Sequence, residues 1–360
     1  MFRIWGYLMA IGLVLAAAIS GGTVHGQGRV DSVQLNLDGS LTIVGSNFGV
    51  GDLTPLVWDD FEDGTNGSIL AASPKVGTWN IVAINKAIYS NTSPHSGSLC
   101  CYGERTPALQ WTNFRVDMPD GTNFYGTFWF KHHVDSGTGQ IKLNQVWGTC
   151  MGKCAGQTCG DYNPGVMTGN GGIDWWNTYI QRETPVEGQC KIRGNYTTKP
   201  SQDTWHRFEW IGKQSTVNTP DGSLKIVVDG ETQFDQQNVV TRTLADQRWN
   251  LFIFFSGITN MTGNSYTWLD DAYLNDSWAR IEICNNATFL RATHCEIQIP
   301  SSWSPSSITA TVSQGSFSRG ETAYLFVVDA KGKVNSEGFP ITIGSSNALS
   351  PPKGLRIVSP

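Results

Sequence analysis

The chain has 360 residues, of which 40 are glycine and 14 are tryptophan. Only 15 % are charged, well below the roughly 25 % of an average protein. The formal net charge is −5, and the sequence contains no run of lysine or arginine. This balance argues against nucleic acid or an anionic membrane as the main partner, because both require a basic surface.

The first 26 residues have the pattern of a secretory signal peptide. Arg3 precedes an apolar run over residues 4–19, and small residues follow at 20–22. The apolar run is shorter than the ~20 residues that a membrane span needs. We therefore expect residues 1–26 to be removed and the protein to be secreted or held at the cell surface, with no membrane span afterwards.

The cysteine content indicates disulfides, because eight is an even number in a chain expected to be exported. Cys284 and Cys295 flank a short connection between two apolar runs and are predicted to pair. Cys100 and Cys101 would point to opposite faces of a strand and cannot easily bridge each other. We expect at least one of them to form a disulfide with a cysteine of a second group. The spacing of that group leaves zinc binding as the alternative. Its members are Cys150, Cys154, Cys159 and Cys190.

Short alternating apolar runs recur along the chain, separated by Gly, Asn, Asp or Pro. Examples are SLTIVGS, TFWFKHH, WHRFEWIG and SLKIVVDG, and five Asp-Gly pairs mark tight turns. No long segment has a helical period. The sequence therefore predicts an all-β fold with many turns.

The two ends of the chain carry complementary parts of one small β-domain. VDSVQLNLDGSLTIVGSNFG, residues 30–49, resembles the first hairpin of IPT/TIG domains, which ends in Gly-x-x-Phe-Gly. The expected continuation comes only after residue 278, as ARIEICNNATFLRATHCEIQIP and TAYLFVVDAKGKV. The resemblance implies an immunoglobulin-like sandwich from residues 29–50 and 279–344, followed by a tail over 345–360. Alternatively, the N-terminal strand pair only extends the central domain.

The inserted segment, residues 53–278, opens with LVWDDFEDGTNGSI and closes with YTWLDDAYLND. TFWFKHH and TWHRFEWIG lie between them. This ordered series resembles concanavalin A-like, or laminin-G-like, jelly rolls, a fold that includes lectins and polysaccharide lyases. The resemblance implies a jelly-roll sandwich over 53–278, and a polysaccharide or cell-surface glycan as its partner.

Acidic residues lie near the first and last strands of the expected jelly roll, which are neighbours in such a fold. Their carboxylates can therefore converge, and Ca²⁺ takes about six to eight oxygen ligands. We expect a structural Ca²⁺ ion held first by Glu62 and Asp271, with Asp60 and Asp270 nearby. The alternative is a solvated acidic turn.

An aromatic and amide stripe is predicted in the segment DWWNTYIQRE. Alternate residues of a strand share one face, which groups Trp175, Asn177, Tyr179 and Gln181. Aromatic rings stack on the C–H faces of sugars while amides bond the hydroxyls, so this face is expected to bind a glycan. Alternatively, one of the tryptophan faces packs into the core.

Catalysis by this chain would have to be of the lyase type. The paired carboxylates of retaining glycosidases are absent from the middle strands. A lyase removes the proton next to a uronate carboxylate, using Tyr or His, while an amide or Arg neutralises that carboxylate. The candidates are Tyr179, His132, Gln145 and Arg193. Alginate-type lyases carry Gln-x-His, and here Lys142 stands where that histidine would be.

Three functions remain open at the level of the sequence. The leading prediction is a secreted, non-catalytic protein that binds glycan at a surface or matrix. The first alternative is a polysaccharide lyase that cleaves a uronate polymer by β-elimination. The second is a structural subunit of an extracellular assembly, in which exposed strand edges pair between copies of the chain.

Overall fold

The structure is a computed structural model. It describes residues 27–81, 87–109, 112, 114–118, 123–135, 140–148, 165–168, 176–181, 191–243, 245, 248–254, 257–259 and 262–344. The predicted signal peptide, the tail over 345–360, Trp175 and the second cysteine group lie outside these residues. Within the described part of the chain, no helix is long and apolar enough to cross a membrane.

The described residues form 24 strands and one short 3-10 turn, Phe289–Arg291. The first twelve strands are β1 (Arg29–Leu35), β2 (Ser40–Ser46), β3 (Val57–Asp59), β4 (Val76–Gly77), β5 (Asn80–Ile81), β6 (Ile88–Ser90), β7 (Cys100–Arg105), β8 (Phe114–Asp117), β9 (Asn123–Val134), β10 (Gln140–Gly148), β11 (Gly165–Thr168) and β12 (Trp176–Gln181). The other twelve are β13 (Lys191–Asn195), β14 (His206–Lys213), β15 (Gly222–Val228), β16 (Glu231–Val239), β17 (Trp249–Phe254), β18 (Gly257–Thr259), β19 (Ser265–Asn275), β20 (Arg280–Cys284), β21 (Cys295–Trp303), β22 (Ser307–Thr311), β23 (Thr322–Val328) and β24 (Phe339–Thr342). The predicted all-β class is confirmed.

Strands from both ends of the chain form the smaller sandwich, in the order β1-β2-β22-β21-β20-β23-β24. Strand β21 changes partners along its length, because residues 295–298 pair with β20 and residues 299–303 pair with β22. Because of this switch, the seven strands surround one apolar core, to which Ile43, Ile283 and Leu325 contribute. The predicted immunoglobulin-like sandwich from both chain ends is confirmed as a fold, and membership of the IPT/TIG family stays a prediction.

The larger sandwich is a jelly roll made of two antiparallel sheets. Its eight-stranded sheet has the order β13-β12-β11-β10-β17-β8-β5, with β18 also beside β10. Its nine-stranded sheet has the order β16-β15-β14-β9-β19-β3-β4, with β7 beside β19 and β6 beside β7. Phe128 and Phe208 of the nine-stranded sheet meet Phe252 and Val146 of the eight-stranded sheet in a common apolar core.

The smaller sandwich covers the outer face of the nine-stranded sheet. Along β9, Phe128 and Phe130 point into the jelly-roll core, so Tyr125 and Trp129 point outward. Tyr125 packs there with Tyr273 and with Ile297 of the smaller sandwich. The face of the jelly roll opposite to this contact is the outer face of the eight-stranded sheet.

The cysteines follow the prediction in one case and not in the other. Cys284 and Cys295 form a disulfide between β20 and β21, as predicted. Cys100 and Cys101 are buried free thiols, so the expectation that one of them bridges to the second cysteine group is wrong. The reason is their position: β7 pairs with both β6 and β19, Cys101 joins the jelly-roll core, and the Cys100 thiol donates to the carbonyl of Ser90.

Candidate functional site

Three of the predicted functional residues share one transverse row of the eight-stranded sheet. Backbone pairing places Gln145 between Ile253 and Gly165. Gly165 in turn pairs with Tyr179, and Tyr179 pairs with Arg193. Neighbouring strands lie about 4.8 Å apart, so the backbones at Gln145 and Tyr179 are separated by about 10 Å. The residue between them is a glycine, which leaves that interval free of a side chain.

At Gln145, this row lies on the outer face of the sheet. Val146 and Phe252 are paired and belong to the core, so alternation turns Gln145 and Ile253 away from it. The indole N–H of Trp147, on the same face as Gln145, donates to Gln145 Oε1 at 3.1 Å. Gln145 is only 1 % exposed, so the orientation of its amide is fixed by packing and by this hydrogen bond.

Basic residues flank the row at both ends. Strands β10 to β13 carry Lys142, Lys191 and Arg193 and contain no aspartate or glutamate, although the whole chain has a net charge of −5. At the other end of the row, Arg115 pairs with Ile253, and the exposed Asp117 follows two residues later on β8. Strands with this charge bias favour an anionic polymer over a neutral one.

The rest of the predicted sugar-binding stripe is placed only by its backbone. Asn177 and Gln181 precede and follow Tyr179 by two residues on β12. Asn177 pairs with Asn195, and Gln181 pairs with Lys191. Trp175, the remaining member of the stripe, lies outside the described residues, and glycan binding by the stripe stays a prediction.

His132 lies apart from this row. It belongs to β9 of the nine-stranded sheet and points inward, with its ring stacked on Phe130 at 5.4 Å between centroids. Only 1 % of the residue is exposed, and burial lowers the pKa of the imidazole to about 3. The structure therefore does not bring His132 to the face that carries Gln145, because strand alternation turns it into the core.

The predicted calcium ligands lie on two sides of one loop, residues 91–99, between β6 and β7. On one side, Glu62 accepts hydrogen bonds from the N–H and hydroxyl of Ser98 and from the N–H of Leu99. Asp60 beside it forms an ion pair with Lys75 at 2.6 Å. Glu62 therefore anchors the end of the loop that leads into β7.

The two aspartates of β19 hold the other part of the same loop. Asp270 Oδ2 accepts from the N–H groups of His95 and Ser96, and Asp271 Oδ2 accepts from the Ser96 hydroxyl at 3.0 Å. Burial raises the pKa of Asp271 to about 6. These hydrogen bonds hold the loop in place without an ion, and calcium binding stays a prediction.

No family model matches the sequence, and no curated protein matches it either. Among solved structures, the endo-beta-1,4-glucuronan lyase from the fungus Trichoderma reesei is 17 % identical with a TM-score of 0.45, over 62 % of this chain and 95 % of that chain. The alginate lyase Aly36B is 13 % identical with a TM-score of 0.41, over 62 % of this chain and 97 % of that one. The cellulose induced protein Cip1 is also 13 % identical with a TM-score of 0.41, over 61 % and 97 %. At TM-scores this low, the similarities carry no functional argument for this chain.

Proposed function

We propose that the protein is a polysaccharide lyase that cleaves a uronate polymer by β-elimination. The observation that carries this proposal is the row Gln145-Gly165-Tyr179-Arg193 across the eight-stranded sheet. Backbone pairing sets these positions at one level of the sheet, and their residue types supply an amide, a phenol and a guanidinium. These are the groups that such an elimination requires.

The reaction needs two functions from these residues. Gln145 and Arg193 would bind the carboxylate of the uronate and stabilise the charge that develops on it when the neighbouring C5–H bond breaks. Tyr179, as the phenolate, would take the C5 proton and then donate a proton to the glycosidic oxygen on C4. The C4–O bond breaks and a C4=C5 double bond forms, so that no water is consumed.

The charge and the geometry of the face favour this proposal over a non-catalytic glycan-binding protein. An aromatic platform for neutral sugars does not require basic residues, whereas β10 to β13 have three and no acidic ones. The interval of about 10 Å over Gly165 gives room for one sugar ring between Gln145 and Tyr179. His132 has no role in this scheme, because it belongs to the other sheet and points into the core.

The test is to incubate the oxidised protein with polyglucuronate, polymannuronate, polyguluronate and a neutral β-glucan. Lysis of a uronate polymer produces an ultraviolet-absorbing unsaturated end, and fragments one water lighter than hydrolysis products. Tyr179→Phe is expected to lower this activity about 100-fold or more, since positioned proton transfer contributes at least that much. Tyr266→Phe is the matched control, because Tyr266 lies on β19 of the other sheet.

Each other result has a distinct meaning. Retention on a polymer without product would contradict the lyase and support the glycan-binding alternative. Equal activity of Tyr179→Phe and wild type would overturn the role of Tyr179. If the folded protein shows neither retention nor product on any polymer, the assembly-subunit alternative gains the support.

A further inference from the structure

Two histidines and a glutamate converge where the two sandwiches meet. His95 belongs to the loop between β6 and β7 of the jelly roll. In the smaller sandwich, His294 immediately precedes β21 and Glu296 is the second residue of that strand. One ring nitrogen of each histidine and one carboxylate oxygen of Glu296 lie within 4.8 Å of one another. We call these three residues the seam cluster.

The ring of His95 is held with one nitrogen directed at the cluster. Its Nδ1 lies 3.3 Å from Asp271 Oδ2, and its ring stacks on Trp129 with centroids 3.8 Å apart. A carboxylate at Nδ1 fixes the proton there, which leaves the lone pair on Nε2. That nitrogen lies 3.2 Å from the hydroxyl oxygen of Ser316. Histidines that bind metals are typically oriented by a carboxylate in this way.

The ring of His294 reaches the same point from the opposite side. Its Nε2 lies 3.2 Å from the Ser316 hydroxyl and 2.7 Å from Glu296 Oε1. The ring stacks on Phe317, with centroids 4.0 Å apart. Glu296 is 2 % exposed, so its carboxylate oxygen is presented from within the protein. The Ser316 hydroxyl therefore lies between the two imidazole nitrogens.

The two loops that complete the cluster each approach a carboxylate closely. Gly315 has a φ of +54°, and a Cβ atom there would overlap the carboxyl group of Glu296. Gly97 has a φ of +58°, and a Cβ atom there would overlap the carboxyl group of Glu62. Both positions therefore require glycine, and they bring Ser316 and His95 to the same seam.

We propose that the seam cluster binds a divalent transition-metal ion, Zn²⁺ in the first instance, which ties the two sandwiches together. Zn²⁺ takes imidazole nitrogens and carboxylate oxygens in a tetrahedral arrangement, with ligand atoms about 3.3 Å apart. A separation of 4.8 Å would have to shorten by about 1.5 Å to reach that spacing, which side-chain rotations can supply. Asp271 is the orienting residue behind His95, and the Ser316 hydroxyl or a water molecule takes the fourth position. This inference is independent of the proposed lyase activity.

The test measures metal binding directly on the oxidised full chain after removal of metal with a chelator. Equilibrium dialysis against Zn²⁺ is expected to give one ion per chain at this site. Co²⁺ in its place is expected to give the visible absorption of a tetrahedral N/O site. His95→Gln, His294→Gln and Glu296→Gln should each abolish that spectrum, and Asp271→Asn should weaken Zn²⁺ binding about 10- to 100-fold.

His133→Gln is the matched control. His133 also faces an aspartate, with Nδ1 2.9 Å from Asp203, but it is not part of the seam cluster. The control should bind Co²⁺ and Zn²⁺ as the wild type does. A Co²⁺ spectrum that survives in His95→Gln and His294→Gln would overturn the proposal and point to other ligands, such as the second cysteine group. A wild-type protein that binds Ca²⁺ but neither Zn²⁺ nor Co²⁺ would also overturn it.

Discussion

Arg207 of the jelly roll donates a hydrogen bond to Glu282 of the smaller sandwich at 3.0 Å, and both side chains are almost fully buried. Arg280 donates to the same carboxylate oxygen at 2.7 Å, and the Tyr125 hydroxyl lies 3.0 Å from it. Burial alone would raise the pKa of Glu282, but the charges of Arg280 and Arg207 outweigh it and lower the pKa to about 2. Glu209 Oε2 lies 3.3 Å from the same Arg207 guanidinium. Two carboxylates therefore balance two guanidinium groups inside the contact between the sandwiches, and Glu282 contacts both of the guanidinium groups.

Glu282→Gln is expected to destabilise the protein by about 3–5 kcal/mol, because it removes the anion that both buried guanidinium groups contact. Arg280 loses its ion pair, and Arg207 keeps only the one with Glu209. The measurement is the free energy of unfolding from urea denaturation near neutral pH. Glu337→Gln is the control, since Glu337 is exposed and its replacement should change the free energy by less than about 0.5 kcal/mol. A loss below about 1 kcal/mol in Glu282→Gln would mean that this ion network does not hold the two sandwiches together.

The double variant Cys284→Ala, Cys295→Ala is expected to lose about 3 kcal/mol of stability. The disulfide joins residues 11 apart in the sequence, and the entropy of closing a loop of that length in the unfolded chain gives this magnitude. Urea denaturation of oxidised wild type and double variant measures the loss. Dithiothreitol should destabilise the wild type further than the variant, and an equal effect on both would show that another bond carries the stabilisation.

Cys100 and Cys101 are expected to resist alkylation in the folded protein. Burial raises the pKa of the Cys100 thiol to about 12 and that of Cys101 in the same direction. At a given pH, a rise of about three units lowers the thiolate fraction about 1,000-fold. Peptide mass spectrometry after iodoacetamide treatment would find both unmodified in the folded state and modified in urea. Modification of either in the folded state would contradict the burial of β7.

Several strands are predictable from local signals in the sequence, and the same holds for the disulfide. TFWFKHH and WHRFEWIG alternate or cluster apolar residues over single strands, and these became β9 and β14. Cys284 and Cys295 were assigned because the two runs beside them form one hairpin, β20 and β21. The predicted disulfide of Cys100 or Cys101 is wrong, because the number of cysteines does not indicate which thiols a sheet buries.

The sites depend on contacts between distant residues, which a single sequence does not reveal. The prediction grouped His132 with Gln145 by chemistry alone, and the pairing of sheets separates them. The row from Gln145 to Arg193 depends on strand register, which one residue of slip would change. His294 and Glu296 did carry a local signal, because residues two apart on a strand share a face. His95 comes from a loop 199 positions earlier, 294 − 95, and only folding shows that it joins them.

The buried carboxylate of Asp59 makes the stability of the jelly roll depend on pH. Asp59 accepts hydrogen bonds from the indole N–H of Trp79 at 2.8 Å and from the N–H of Phe61 at 3.0 Å. Burial nevertheless raises the pKa of this carboxyl to about 6, from 3.8 in the unfolded chain. The folded protein therefore binds more protons than the unfolded chain between these two values. The stabilisation is fully present below pH 3.8 and is lost as the pH rises through 6.

Asp59→Asn is expected to remove this dependence, because the amide does not titrate. Relative to the variant, the wild type should lose about 3 kcal/mol of unfolding free energy between about pH 3.5 and pH 7, since each pKa unit corresponds to about 1.4 kcal/mol. Burial lowers the pKa of His132, so this residue changes the stability in the opposite direction over part of this range. His132 is present in both proteins, and its contribution to the difference cancels. Urea denaturation at several pH values measures the difference.

Asp38→Asn is the control with the opposite sign. Asp38 lies in an exposed turn, where the N–H and the hydroxyl of Ser40 donate to it and lower its pKa. The stabilisation from this group is therefore present above its unfolded pKa and is lost as the pH falls through the folded value. As the pH rises, the wild type should gain stability relative to Asp38→Asn and lose stability relative to Asp59→Asn. A parallel pH profile for wild type and Asp59→Asn would show that Asp59 is ionised in the folded protein, and that the hydrogen bonds from Trp79 and Phe61 outweigh its burial.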